Sequence, residues 1–329
     1  MNLKNRATAL LSLSAMLALI FDSAASTTGC REGIELCIKN VIPALLPFLV
    51  LSPIISTMDI PLPRWLHKVM KLPDGADSLW LGGCLGGYPV GAQCIARAVE
   101  RGQITEANAR RLMSFCCNCG PGFVFGVSSA LFTVKWAPWG LWLCHIAGSV
   151  LIGWTIPADS SKSDLSTAQK FTIMDAFAKG LKAMAQICGW VILFRCLLEF
   201  LQRCILHRLG VSLRVVIIGA LELTNGCFSL TQIHNEALRF MICEGMLCFG
   251  GLCVAMQTAS IGKKIPMAPY FAGKVGQAII STILAGSLWS AIHGNLWTAV
   301  GVILLLLSAL AAIKTMCKNY SRNLSPVGV

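Results

Sequence analysis

The chain has 329 residues, 55% of them hydrophobic and only 13% charged, with a mean hydropathy of +0.69. A soluble domain carries about 25% charged residues, so this composition excludes a water-soluble globular protein and implies an all-α polytopic membrane protein. The formal charge of +12 would suggest nucleic acid in a soluble chain. Here it reads as basic loops facing anionic headgroups, because no run of like charges forms a nucleic-acid tail.

Sixteen cysteines are scattered through apolar segments, which suits small packing residues and not a disulfide framework of external loops. Cys116-Cys117-Asn118-Cys119 is the one dense group. It lacks a second Cys or His pair at ligand spacing, so it reads as small residues at a helix break and not as a metal site.

A membrane span needs about twenty mostly apolar residues. Lys4 and Arg6 precede a first span at about 7–26, which is read as uncleaved although Ser23-Ala24-Ala25-Ser26 resembles a cleavage region. A second span at about 32–56 carries Pro43, Pro47 and Pro53. The stretch from Ser78 to Arg101 is interrupted at Gly86-Gly87-Tyr88-Pro89, which favours a re-entrant hairpin over one crossing. A helix at about 105–133, with Thr105 as its cap, breaks at Asn118-Cys119-Gly120-Pro121-Gly122. A Trp-rich span follows at about 137–156, then a polar linker.

Beyond the linker the order recurs: a span at about 183–203, an interrupted stretch VVIIGALELTNGCFSL, and a helix broken at Gly250-Gly251. Spans at about 268–290 and 295–313 close the chain. The domains are then an N-terminal span (1–29), a first unit (30–157), a linker (158–172), a second unit (173–292), and a last span with a basic tail (293–329). Each unit would cross three times and hold one hairpin. An odd number of crossings turns the second upside down, giving an inverted repeat with two re-entrant hairpins, two broken transmembrane helices and about 8 full spans. Basic residues then put both termini on the cytoplasmic side, with Arg203, Arg208 and Arg214 as the loop that disagrees.

GGYPVGA, RGQIT, RRLMSFCCNCGPGFVFG and the later FGGLCVAMQ resemble the gate, or nucleoside-recognition, domain family over about residues 30 to 290, and within it the sporulation-associated type. Cys-Cys-Asn-Cys-Gly-Pro is more cysteine-rich than that pattern, but leaves the break intact. The family is similar to the core of concentrative nucleoside transporters, so the resemblance implies paired hairpins and broken helices around a midplane site. It also implies a bacterial cell-membrane protein used in spore formation, specifically cortex assembly. It does not supply a substrate.

Backbone freed at a helix break must face protein or a polar cavity, since lipid cannot satisfy it. The candidate solute- or ion-binding residues follow from this: Tyr88, Pro89 and Gln93 at the first break, Asn118 at the second, Glu222, Thr224 and Asn225 at the third, and Glu244 and Gln257 around the fourth. Glu222 is the sharpest, because a carboxylate is expensive in lipid. It would bind a proton, Na⁺ or a substrate hydroxyl, or else pair with Arg195. Glu244 would serve a ligand or hydrogen-bond a freed backbone N–H. Asn118 and Gln257 suit a polar ligand and the orphan backbone equally. Arg195 and Glu199 are expected to neutralise each other, His145 to be an interhelical histidine, and Arg110 and Arg111 to mark the cytoplasmic interface.

No nucleotide, zinc-protease or hydrolase motif is present, so no enzyme is expected. No cofactor is expected beyond a coupling Na⁺ or H⁺. The expected partners are the lipid bilayer and a small polar solute or ion, with a homo-oligomer and spore-assembly proteins left open. The competing readings are a transporter, a non-transporting scaffold for spore-envelope assembly, and, more weakly, an enzyme acting on lipid-linked precursors.

Overall fold

The structure, a computed structural model, describes residues 10, 13, 16–17, 19–55, 58, 60–157, 173–261 and 265–324. The linker at 158–172, Lys4, Arg6, Lys263-Lys264, part of the span expected at 7–26 and the side chains of Lys318 and Arg322 lie outside this description. All regular structure among the described residues is helical. Among the described residues, five helices are long and apolar enough to cross a membrane: Ser23–Leu51, Ile173–Cys204, Glu236–Ile261, Ala268–Ile292 and Leu296–Thr315.

α1 (Ser23–Leu36) continues through a π turn (Cys37–Val41) into α2 (Ile42–Ile55). The gap expected between 26 and 32 is therefore helix. Gly29 and Gly33 lay this helix against α9 (Ile173–Cys204). A Cβ at Gly29 would stand 2.7 Å from Cys196 Cα, and one at Gly33 2.9 Å from Ile192 Cα, so only small residues allow the backbones this close. Pro43 and Pro47 have no N–H to give the ladder, and the wider π turn just before them takes up the irregularity.

The short α3 (Arg64–Met70) leads to α4 (Ala76–Gly86) and α5 (Val90–Glu100), separated by Gly87-Tyr88-Pro89 and packed on each other. α6 (Glu106–Met113), capped by Thr105 Oγ1 on the Asn108 N–H at 3.2 Å, is followed by extended chain over 117–120 and then α7 (Pro121–Ser128). α8 (Ala137–Thr155) completes this half. The order then repeats with α9 as the long helix. α10 (Val211–Leu221) and α11 (Leu223–Ser229) are the packed pair, and α12 (Glu236–Phe249) and α13 (Gly251–Ile261) the interrupted helix. α14 (Ala268–Ile292) and α15 (Leu296–Leu324) finish the chain.

The segment Phe115–Cys119 lies at the centre, each residue at most 1% exposed. Arg111, just before it, corrects the expectation of a headgroup contact: it is buried. Its guanidinium donates to Met70 O (2.5 Å), Lys71 O (3.2 Å) and Gly153 O (3.0 Å), with Ile156 O at 3.5 Å. It thus supplies donors to orphan carbonyls at the C-termini of α3 and α8. Only neighbouring Arg110 is exposed, paired with Glu106 at 3.4 Å. Arg111→Lys keeps the charge but loses the fork that reaches two helix ends. The expected result is a loss of about 1–3 kcal/mol, read as a fall in the melting temperature of the detergent-purified protein; an unchanged melting temperature would count against this role.

Candidate functional site

The four interruptions converge on one another. A Cβ at Gly87 would stand 2.9 Å from Gly120 N, so the first two breaks touch through backbone alone. Gly250 (φ 79°) and Gly251 (φ 80°) turn the chain between α12 and α13 in the left-handed region, where other residues are strained. A Cβ at Gly250 would meet the Tyr88 ring at 3.2 Å, and one at Gly251 would meet Gly219 O at 3.0 Å. The fourth break therefore abuts both the first and the third.

Between them lies a cavity of about 30 Å³ lined by Tyr88, Cys119, Gly120, Glu222, Thr224 and Gln257, with apolar walls from α2 and α9. A water molecule needs roughly 10–15 Å³ measured this way, so the space holds one or two waters or a bare ion. Glu222 is buried at its edge as the cap of α11, accepting from Thr224 N (3.0 Å), Asn225 N (2.7 Å) and Asn225 Nδ2 (2.6 Å). Backbone N–H groups at a helix start favour a carboxylate. Arg195 is not its partner, because that guanidinium pairs with Glu32 and with Glu199 at 3.4 Å.

Beside the cavity is a fully buried polar network centred on Lys274 of α14. Its ammonium donates to Cys117 O, to Gln277 Oε1 (2.5 Å) and to Tyr88 Oη (3.3 Å), which uses all three of its donors. Tyr88 Oη in turn donates to Cys248 O at 2.9 Å. Gln277 Nε2 donates to Asn118 Oδ1 and to His145 O, both at 3.0 Å. Asn118 Nδ2 donates to Phe115 O (2.8 Å) and Ser149 Oγ (3.3 Å), and Trp80 Nε1 donates to the same hydroxyl at 3.0 Å. A chain of this kind fixes a core because each buried polar group has a partner.

His145, Glu244 and Cys248 form a neighbouring cluster, their ligand atoms all within 4.8 Å. That composition would suit a transition metal. The Cys119 amide, however, donates to His145 Nε2 at 2.9 Å, so the ring proton sits on Nδ1 and points at Cys248 Sγ, 3.1 Å away. A protonated Nδ1 has no lone pair for a metal. The thiol of Cys248 passes the chain on to Glu244 Oε1 at 3.1 Å, while Glu244 Oε2 has no partner.

Of the residues singled out from sequence, Tyr88, Glu222, Thr224 and Gln257 line the central cavity. Pro89 starts α5 beside Tyr88. Asn118 and Glu244 belong to the networks behind the cavity, where both ends of the Asn118 amide are hydrogen-bonded to the protein. Asn225 grips Glu222 and faces a different cavity, and Gln93 lines a third. Lys274 and Gln277 went unread. A lysine with a glutamine three residues later inside the apolar run APYFAGKVGQAII was the available signal, since a charge at that depth is costly.

Fold and site define an integral multi-pass membrane protein built around helix breaks and a buried polar centre. The chain is similar to the sporulation integral membrane protein YlbJ of Bacillus subtilis (strain 168), 24% identical over an alignment that covers 82% of this chain and 79% of the relative. No family model matches, and no solved structure matches.

Proposed function

We propose that the chain binds or moves a small polar solute or ion by alternating access, in the bacterial cell membrane, and that spore cortex formation requires it. The observation carrying this reading is the meeting of four helix breaks around a cavity edged by the Glu222 carboxylate. The resemblance to the gate domain family, and the similarity to a sporulation membrane protein, support the setting. In this reading α4–α5 and α10–α11 are re-entrant hairpins and the two halves are an inverted repeat. The cavity volume favours a coupling Na⁺ or H⁺ at Glu222 over a whole nucleoside in this conformation.

The second reading, a scaffold for spore-envelope assembly, draws on the Lys274 network, whose donors are spent within the protein. Glu222→Gln in a sporulating host separates the two. The solute reading expects spores that lose heat resistance and cortex while membrane levels of the protein stay normal. Normal spores at normal protein levels would instead leave the scaffold reading standing.

A further inference from the structure

Three cavities follow one another along the length of α9. The first is lined by Lys179, Lys182 and Gln186, the central one by Ile187 and Val191, and the third by Arg195, Leu198 and Gln202. Within each set the positions lie three or four residues apart, and from the first set to the third the lining winds around the helix. From 179 to 202 the helix runs about 35 Å at 1.5 Å per residue, close to the roughly 30 Å of a bilayer's hydrocarbon core. The partitions are thin. Gln257 of the central cavity and Ile261 of the first are one turn apart on α13, and Glu222 of the central cavity is hydrogen-bonded to Asn225 of the third.

The third cavity is the informative one. It measures about 250 Å³, and its polar lining is two guanidiniums, three side-chain amides and a hydroxyl, with no carboxylate. Arg195 is balanced by Glu32 and Glu199. Among the described residues Arg214 has no acidic partner; its hydrogen bond goes to the neutral Gln232 Oε1 at 2.7 Å. A guanidinium held by a neutral amide in a polar recess suits an oxyanion, to which it can donate two parallel bonds. The cavity at the other end is basic too, with Arg97, Lys179 and Lys182 against Glu100.

We propose that the third cavity is an anion-binding mouth, and that the succession of cavities along α9 is the path of a small solute bearing a phosphate or carboxylate group. The path rests on the solute-handling reading above; the anion site rests on its own lining. Glu222 and Asn225 form the closed partition between mouth and centre.

The test uses the full chain in detergent, titrated with inorganic phosphate at constant ionic strength against chloride. The expected result is a saturable rise in melting temperature, with Arg214→Gln moving the phosphate midpoint at least tenfold and Arg110→Gln leaving it in place. A lipid headgroup offers the same chemistry. If phosphatidylglycerol co-purifies with the parent protein but not with Arg214→Gln, and free phosphate has no effect, the solute path is overturned. No phosphate response in the parent protein without such Arg214-dependent lipid co-purification, or an equal phosphate response in Arg214→Gln, overturns the site as well. Phosphate binding together with normal spores from Glu222→Gln would sink the transport reading and leave the mouth intact, so the two failures are distinguishable.

Discussion

Lys274→Met is expected to lower stability by about 2–4 kcal/mol, because it strands two buried acceptors at roughly 1–3 kcal/mol each. Cys117 O and Gln277 Oε1 are the two that lose the ammonium outright; Tyr88 Oη loses it too but still donates to Cys248 O. One effect opposes this: a methionine no longer has to keep a charge out of water, and apolar replacements of buried ions are sometimes neutral. The stranded acceptors should win, since Cys117 O is main chain at a break and has no helical N–H to return to. Thermal unfolding in detergent checks the size. A variant as stable as the parent would show that the network is not what holds the second break.

Gly273→Ala, one residue earlier, should cost at least as much by a different route. Its Cβ would overlap Ser114 O and lie 2.5 and 2.6 Å from Ser114 Cα and C. These are backbone atoms, so no rotamer change relieves the overlap, and α14 has to retreat. Overpacking usually costs about 1–3 kcal/mol, and rigid neighbours put this site at the upper end. Retreat also draws Lys274 away from Cys117 O. The double variant should therefore be less destabilised than the two single losses added together, as neighbouring sites that share a partner are. Strict additivity, measured by melting the four proteins of the cycle, would refute the coupling.

The all-helical class and the places where helices break are legible in the sequence, because helix breaks have a local chemistry. Gly-Gly-Tyr-Pro, Asn-Cys-Gly-Pro and Gly-Gly in apolar surroundings each mark a real interruption, and Thr105 caps its helix as expected. Glu222 was legible as a buried carboxylate, but its partners were not. Arg195, the obvious cation in sequence, is taken by Glu32, which lies 163 residues away. Arg111 reads as an interfacial base until α3 and α8 bring four carbonyls around it. Lys274 is hidden in the sequence because a single lysine hardly moves the apolar average of a span. The division of the candidates between a small cavity and the bonded network behind it depends on tertiary contacts that no spacing in the chain encodes.

The glycines at the breaks bring main chain against main chain, with no side chain between Gly87 and Gly120 or between Gly251 and Gly219. These contacts have no swinging door, because no single rotamer change can open main chain packed on main chain. In the proposed solute-handling reading, passage between them requires whole polypeptide segments to part together, whereas the Glu222–Asn225 partition yields to side-chain motion.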